Sequence, residues 1–352
     1  MVDIKSFNLT ELEDYVAGLS EQKYRARQLY EWLHAKCETD AEQMSNLPKS
    51  FREKLSRNAE IVCARPVEIQ TSKTDGTKKY LFEFSDGECV ESVFMRYKHG
   101  NSVCISSQAG CRMGCKFCAS TLDGLKRNLT PSELLEQIYA IKRDVGERIS
   151  NIVVMGTGEP LDNFDTLIKF IELISDKNGL NISQRNITVS TCGIAPNILR
   201  LSEYDFQITL ALSLHAVTDE KRREIMPVAL SYSIDELMDA CKKYFKRTGR
   251  RISFEYSLIA GKNDSDEDAE GLIRLSKRVS AHVNLIPVNP IKERDYRRTG
   301  EKRVRAFKEK LESGGVNATI RRELGTDIDG ACGQLRHRRN AEFPKQLTVP
   351  RK

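Results

Sequence analysis

The sequence predicts an α/β protein: a parallel sheet of alternating strands and helices, open or closed into a barrel, with a small amino-terminal helical domain and a β extension. Three observations predict it. From residue 101 onward, short β-type runs ("SVCIS", "NIVVM", "NITVS", "ITLALSLH", "ISFEYSL", "HVNLIPV" and a weak "NATIR") alternate with helical stretches. Units of that kind imply parallel strands with right-handed crossovers. Two of the helices carry explicit start signals. "TPSELLEQIYAIKRD" opens on a capping box from Thr130 to Glu133 with proline at the first helical position, and "SIDELMDACKKYFKR" repeats the box with Ser233 and Glu236. Upstream, "LTELEDYVAGL" and "YRARQLYEWLHA" place apolar residues three and four apart, which is the helical period.

Taken in order, residues 1–60 form the helical accessory module, with an RNA-binding role expected. Residues 61–98 form the β extension, because Asp75-Gly76 in "TDGT" and Asp86-Gly87 in "SDGE" are the chemistry of tight two-residue hairpins. Residues 99–322 form the barrel core, and residues 323–352 a carboxy-terminal segment. The core strands alternate in polarity, where buried parallel strands usually read as continuous apolar runs. Thr188 and Ser190 share one face; Thr209, Ala211, Ser213 and His215 another; Ser253, Glu255 and Ser257 a third; His282 and Asn284 a fourth. A barrel filled only by packing would put branched apolar residues there, so small polar side chains point to a wide lumen that holds a polar ligand. The competing reading is that these faces meet solvent.

With 352 residues the chain is long enough for one large core plus appendages. Its formal charge of +6, with 30% charged residues, leans toward a polyanionic partner. The first residues carry acids and no apolar signal region, and no apolar run is long enough to span a bilayer, so a cytoplasmic protein with no membrane association is expected. Ten clustered cysteines in such a compartment read as metal or redox chemistry and not as a disulfide scaffold. Cys37, Cys63 and Cys241 stand alone, and burial is their default.

The chemistry concentrates in "GCRMGCKFCAS", where Cys111, Cys115 and Cys118 fall within eight residues and no fourth ligand is evident. A structural zinc wants four closed ligands, whereas a [4Fe-4S] cube held by three thiolates keeps one iron open to a small molecule. Zinc and a purely electron-carrying cluster are the alternatives, and Cys104 could be a fourth ligand only if the chain doubled back. In "MGTGEP", Gly158 permits close backbone approach and Glu159 can accept a hydrogen bond from a ligand ammonium.

The C-x3-C-x2-C spacing with Phe117 before the last thiol resembles the radical S-adenosylmethionine (SAM) superfamily. The longer segments "ESVFMRYKHGNSVCISSQAGCRMGCKFCASTLDGLKRNLT", "GTGEPLDN", "RNITVSTCGI", "LSLHA", "HVNLIPVNP" and "RRELGTDIDGACGQL" resemble one branch of it, the RlmN-type dual-specificity RNA methyltransferases. Pro160 and Pro287 fit this branch better than the sister Cfr-type adenosine C8 methyltransferases. The resemblance implies a partial (β/α) barrel of radical SAM type, and two cofactors, a [4Fe-4S] cluster and S-adenosyl-L-methionine. It implies that Cys111, Cys115 and Cys118 hold the cluster. Gly158, Glu159, Ser190, Ser213, Leu214, His215 and Asn289 would line the SAM site. Cys332 would carry a methyl group, with Cys104 its redox partner, closing a disulfide, and Glu91 the proton acceptor. One SAM would methylate Cys332 and a second would yield a 5′-deoxyadenosyl radical that activates this methyl for addition to C2 of adenosine.

The implied substrates are the peptidyl-transferase-centre adenosine 2503 of 23S rRNA, met before ribosome assembly is complete, and adenosine 37 of tRNA. A flavodoxin or ferredoxin is the implied electron donor, and a monomer is expected. A target adenine must leave its stack, and the basic runs "KKYFKRTGRR", "KERDYRRTGEKRVR" and "RHRR" are candidates to hold its phosphates, against the simpler reading of solvated faces. Cys192, in "STCG" where this family commonly has serine, adds a thiol near the expected site. A radical enzyme with another substrate and a non-catalytic metal-containing RNA-binding protein are the remaining alternatives.

Overall fold

The computed structural model describes residues 1–289, 295–328 and 333–342. The amino-terminal module consists of α1 (Leu9–Gly18), α2 (Tyr24–Tyr30) and α3 (Lys49–Asn58), with β1 (Val2–Asp3) and β2 (Ala59–Glu60) pairing in parallel to bring its ends together. Asn8 caps α1 by accepting from the Glu11 N–H while the Glu11 carboxylate accepts from the Asn8 N–H. Leu12, Val16, Leu29, Leu33, Phe51 and Leu55 are buried, and their core is continuous with that of the barrel.

The junction with the barrel helix α4 (Pro131–Val145) is also polar. Fully buried Lys5 donates to Glu136 at 2.6 Å and to the Val62 carbonyl at 2.6 Å, and Arg143 donates to the other Glu136 oxygen at 2.8 Å. Removing one partner from such a buried group typically costs ~3–5 kcal/mol, which fixes the module's seat on the core.

Four antiparallel-paired strands follow: β3 (Arg65–Thr71), β4 (Lys78–Glu83), β5 (Cys89–Tyr97) and β6 (Gly100–Ile105). The two hairpins are looser than the two-residue turns the sequence predicts. Ser72 N–H donates to the Thr77 carbonyl across residues 73–76, and Phe84 N–H to the Glu88 carbonyl across residues 85–87. In both, the aspartate accepts from the N–H two residues on, Asp75 from Thr77 and Asp86 from Glu88, each at 2.9 Å. These Asx turns use two extra residues in the first loop and one in the second before the ladder closes.

A short antiparallel pair, β7 (Gln108–Gly110) with β8 (Leu125–Asn128), brackets the cysteine loop. Then come β9 (Ile149–Val154), α5 (Phe164–Ser175), β10 (Ile187–Thr191), α6 (Ala195–Leu201), β11 (Thr209–Ser213), α7 (Asp219–Ile225), α8 (Ile234–Thr248), β12 (Ser253–Leu258), α9 (Asp266–Val279), β13 (His282–Pro287), α10 (Glu301–Ser313), β14 (Ala318–Ile320) and α11 (Gln334–Glu342). One ten-stranded sheet has the order β14-β13-β12-β11-β10-β9-β6-β5-β4-β3. Every pairing from β6 to β14 is parallel, and no pairing closes β14 onto β3, so the barrel is partial. The β extension continues this same sheet.

Along β10 and β13 buried and half-buried residues alternate, with Val189, Val283 and Leu285 in the core and Ser190, His282 and Asn284 turned the other way. Of the four isolated or spare thiols, Cys37, Cys241 and Cys192 are buried; Cys63 is exposed, contrary to expectation, because it lies in the linker after β2 and not within a packed element. None of the nine described cysteines is in a disulfide; Cys332 lies outside the described residues. No helix among the described residues is long and apolar enough to cross a membrane.

Candidate active site

The carboxy-terminal ends of the parallel strands surround a cavity of about 660 Å³, a size suited to a cofactor-sized molecule. Its wall includes Cys104, Cys111, Cys115, Cys118, Gly158, Glu159, Ser190, Ser213, His215 and Asn289, so ten of the expected site residues share one space. The carboxy-terminal members of the polar faces, Ser190, Ser213, His215, Glu255 and Ser257, therefore meet this lumen, whereas Thr188, Thr209, Ala211, Ser253, His282 and Asn284 are not on its wall.

The cysteine loop is held at its ends and from below. Gly110 has φ +83°, and a Cβ there would meet the Gly124 carbonyl at 1.9 Å, so only glycine lets the loop ends close. Cys111 N–H donates to that carbonyl, and the Thr121 hydroxyl donates to the carbonyls of Cys115 (3.1 Å) and Cys118 (2.9 Å). Lys116 N–H donates to Ile225, seating the loop on the end of α7. Burial pushes the Cys111 thiol up to about 12 and raises Cys115 as well; a coordinated iron would displace those protons. Among the described residues the thiols do not gather around a point where one ion could sit. Three soft thiol donors within eight residues of chain are the donor set an iron–sulfur cluster takes. The buried soft donors thus fit a cluster.

Opposite the loop, Glu159 is buried and accepts backbone N–H bonds from Leu161 (3.0 Å) and Cys192 (2.7 Å). Burial raises its carboxyl, partly opposed by those bonds. Gly158, at φ +111°, lets this segment pass Ser107 and Gln108, which a Cβ would meet at 2.6–2.7 Å. The Ser190 and Ser213 hydroxyls lie 3.3 Å apart on neighbouring strands.

His215 occupies the left-handed region at φ +55°, a strained backbone that here turns the ring into the cavity. Its Nδ1 accepts from Ser257 N–H at 2.9 Å, and Phe117 meets it edge-on with ring centroids 4.8 Å apart. Burial, with Arg222 nearby, lowers it to about 3, so it is neutral with the proton on Nε2. Leu214 departs from expectation: its side chain is in the core, and its backbone carbonyl accepts from Arg222.

Glu91 and Cys104 are brought to one face by register. Val93 pairs with both Lys79 and Cys104, and Leu81 pairs with Glu91, so Lys79 and Glu91 are diagonal neighbours. Lys79 is fully buried and lies 2.9 Å from Glu91 Oε2. Glu91 also accepts from the N–H of Gly333 and of Arg336, each at 2.7 Å. Since Gly333 precedes α11 and has no side chain, Glu91 supplies in trans both acceptors of a capping box. The preceding segment is tied down by the β3–β4 loop: Asp75 accepts from Gly325 N–H at 2.8 Å, and Asp327 accepts from Ser72 and from Lys73 N–H. Against the burial that would raise it, these N–H bonds hold Asp75 at about 2. Chain on both sides of Cys332 is therefore anchored to the β extension, although Cys332 itself lies outside the described residues.

The basic runs divide. "KKYFKRTGRR" bridges the end of α8 and the start of β12, at the amino-terminal edge of the sheet and far from the mouth. "RHRR" is engaged internally: Arg336 is buried against the Cys89 carbonyl, His337 pairs with Asp123, Arg338 with Glu68 and Arg339 with Glu83. These two runs do not supply the mouth's positive charge. Arg298, from "KERDYRRTGEKRVR", of which residues 292–294 lie outside the described residues, reaches the mouth paired with Glu323, and Arg321 and Arg322 reach it as well. Sequence reading missed Lys79, Arg222, Arg321 and Arg322; beside Lys78 in "KKYLFE", nothing local marked Lys79 as the buried one of the two lysines.

A partial (β/α) barrel with three thiols, two buried and one half-buried, on a loop at its strand ends is the scaffold of a radical SAM enzyme. Comparison with known proteins agrees: residues 105–275 match the Radical SAM superfamily model, and residues 2–61 match that of the ribosomal RNA large subunit methyltransferase N-terminal domain. The chain is 62% identical over 338 residues to a "probable dual-specificity RNA methyltransferase RlmN" of Lachnospira eligens, covering 96% of this chain and 97% of that one. It is 58% identical to the protein of the same name from Lachnoclostridium phytofermentans, covering 95% and 94%. The crystal structure of a radical SAM methyltransferase from Sphaerobacter thermophilus superposes with a TM-score of 0.91 at 40% identity, covering 95% of this chain and 99% of that one. The chain belongs to the RlmN family of radical SAM RNA methyltransferases.

Proposed function

We propose that this enzyme methylates C2 of adenosine, at adenosine 2503 of 23S rRNA and adenosine 37 of tRNA, through a methyl group carried on Cys332. The observation that supports this reading best is the hydrogen bond from Gly333 N–H to Glu91, which puts the buried carboxylate one residue from the expected methyl carrier while register puts Cys104 on the same face.

Bound SAM and a reduced cluster would supply the methyl group and the radical that activates it, since electron-poor C2 has no lone pair to attack a sulfonium methyl. Cys111, Cys115 and Cys118 would hold the cluster. Glu159 would take the SAM ammonium, with Gly158, Ser190, Ser213, His215, Asn289 and the Leu214 backbone around the rest. Glu91 keeps about one of its roughly four acceptor positions open, beyond Lys79 and two N–H donors, and that position can receive the C2 proton. Cys104 would then attack the Cys332 sulfur, releasing the RNA and leaving a disulfide.

Arg298, Arg321 and Arg322 at the mouth suit the phosphates of an unstacked nucleotide, which favours RNA met before ribosome assembly is complete. Residues 1–60 would add RNA contacts as an accessory module, 61–98 would anchor the carboxy-terminal segment 323–352, and 99–322 would form the catalytic barrel. The reading is of a cytoplasmic monomer reduced by a flavodoxin or ferredoxin.

The test is mass spectrometry of 23S rRNA and tRNA after reaction with the reconstituted enzyme and methyl-labelled SAM. Label on C2 of both adenosines is expected. Label on C8 would assign the chain to the Cfr-type reaction, and label on rRNA alone would remove the second substrate.

A further inference from the structure

Arg222 is fully buried on α7, yet it has no acidic partner within ion-pair distance among the described residues. Its guanidinium donates to three backbone carbonyls: Nε to Leu214 (3.2 Å), and Nη2 to Cys192 (2.5 Å) and Ser213 (3.4 Å). Nη1 is enclosed and has no hydrogen-bond partner. The nearest acid on its own helix, Asp219, accepts from Ile234 N–H at 2.8 Å and acts on Arg222 only at a distance. Arginine does not escape by deprotonation, and an uncompensated buried charge is costly. An anion is missing from this picture.

The surroundings say where it belongs. The cysteine loop lies on the end of this same helix through Lys116 and Ile225, and Gly114 packs against Pro227, where an added Cβ would approach to 3.3 Å. Cys115 and Cys192 share an apolar cluster with Ile225 and Met226. The Cys115 and Cys192 sulfurs lie within electrostatic reach of the guanidinium, so negative charge placed there would attract it. An oxidised [4Fe-4S] cube with three thiolates carries net negative charge, and reduction adds one more.

We propose that Arg222 is the built-in counter-charge of the cluster, placed beside Cys115, and that it raises the potential at which the cluster accepts an electron. The inference rests on the reading that Cys111, Cys115 and Cys118 hold that cluster. Its sign follows from Coulomb attraction, which is greater for the reduced, more negative form. The electron comes from an external low-potential one-electron donor, and Arg222 itself is neither oxidised nor deprotonated. It is a positioning charge and not a catalytic residue.

The experiment compares full-length, cluster-loaded wild type with Arg222→Met and Arg222→Lys in an anaerobic dithionite titration followed by electron paramagnetic resonance, without SAM. The reduction equilibrium of Arg222→Met is expected to be at least tenfold less favourable, a midpoint lower by about 59 mV for one electron, and Arg222→Lys should regain more than half of the difference. Equal midpoints in all three proteins overturn the proposal. So does an unchanged midpoint accompanied by weakened SAM binding, which would give the guanidinium to the SAM carboxylate instead.

Melting temperatures of apo and loaded protein provide a second readout. A counter-charge makes Arg222→Met lose more stability in the loaded form than in the apo form. Equal loss in both, or failure of either form to fold, assigns Arg222 a purely structural role and also overturns the proposal. Failure of the underlying reading looks different: wild type that takes up no iron, or Cys115→Ala that keeps it.

Discussion

Replacing Lys79 with methionine tests how the β extension holds the carboxy-terminal segment. The substitution keeps the aliphatic volume and leaves Glu91, 3% exposed, without a cation that now lies 2.9 Å away. Breaking a buried pair from one side typically costs ~3–5 kcal/mol. Glu91 retains two backbone N–H donors, so the lower end applies, roughly 3 kcal/mol. At about 2–4 °C per kcal/mol for a large domain, the melting temperature should fall by roughly 6–12 °C. The adjacent Lys78 is an internal control: it pairs with Asp144 at 2.8 Å, but both side chains are a quarter or more exposed, and Lys78→Met should cost under about 1 kcal/mol.

A thermodynamic cycle completes the argument. Glu91→Leu removes the acceptors for Gly333 and Arg336, about 1 kcal/mol for a lost cap, and takes the Glu91 carboxylate from Lys79. The double variant removes both charges of this pair together and should be more stable than the sum of the singles requires, by ~2 kcal/mol or more. The assay is thermal denaturation together with hydrogen exchange at residues 333–336, which should accelerate in every variant that lacks Glu91. Strict additivity, or equal effects from Lys78 and Lys79, would refute the reasoning.

Alanine at Cys111, Cys115 or Cys118 should abolish iron incorporation on anaerobic reconstitution while circular dichroism stays unchanged. Full iron content in any one of them counts against the cluster assignment. Cys104→Ala should leave the RNA attached to the protein, seen as a nuclease-sensitive mass increase that is absent when Cys332 is also replaced; RNA-free Cys104→Ala with normal turnover would remove its role. Neutralising Arg298, Arg321 and Arg322 together should flatten the salt dependence of RNA binding, whereas neutralising Arg247, Arg250 and Arg251 at the far edge of the sheet should not; a gel-shift series in salt distinguishes them.

Buried His215 and His34 both sit at about 3 in the folded chain against 6.5 unfolded, each from burial first, with Arg222 or Lys5 adding to it. Below pH 6.5 the unfolded chain takes up protons the folded chain refuses. Stability is therefore fully present above that pH and falls by ~1.4 kcal/mol per histidine per unit as pH drops toward 3. His34→Gln should lower the acid slope of denaturant-derived stability by about half of the pair's contribution, and an unchanged slope would contradict the burial argument.

The sequence by itself determined the local elements and the chemistry that needs only local spacing. Capping boxes at Thr130 and Ser233 start helices where they were expected, and the alternation of Ser190 with Val189 and of Ser213 with Leu212 marked the lumen face, because side-chain direction along a strand has period two whatever the fold around it. The three thiols were legible for the same reason: eight residues of chain keep them together in any tertiary structure. What only the tertiary structure decided are pairings between distant segments and the effect of burial on charge. Glu91 entered through the family resemblance; its partner Lys79 depended on strand register and its α11 donors on a contact across more than 240 residues. "TDGT" read as a turn, yet Asp75 also holds Gly325. "RHRR" read as a solvated face or a phosphate surface, yet Arg338 and Arg339 pair with Glu68 and Glu83 of the β extension and His337 with Asp123. Arg222 drew no reading from the sequence, and only the packing of the cysteine loop against α7 made it a buried cation with no acidic partner among the described residues. Charge has no meaning for function until its solvent and its neighbours are fixed, and those are properties of the fold, not of the string of residues.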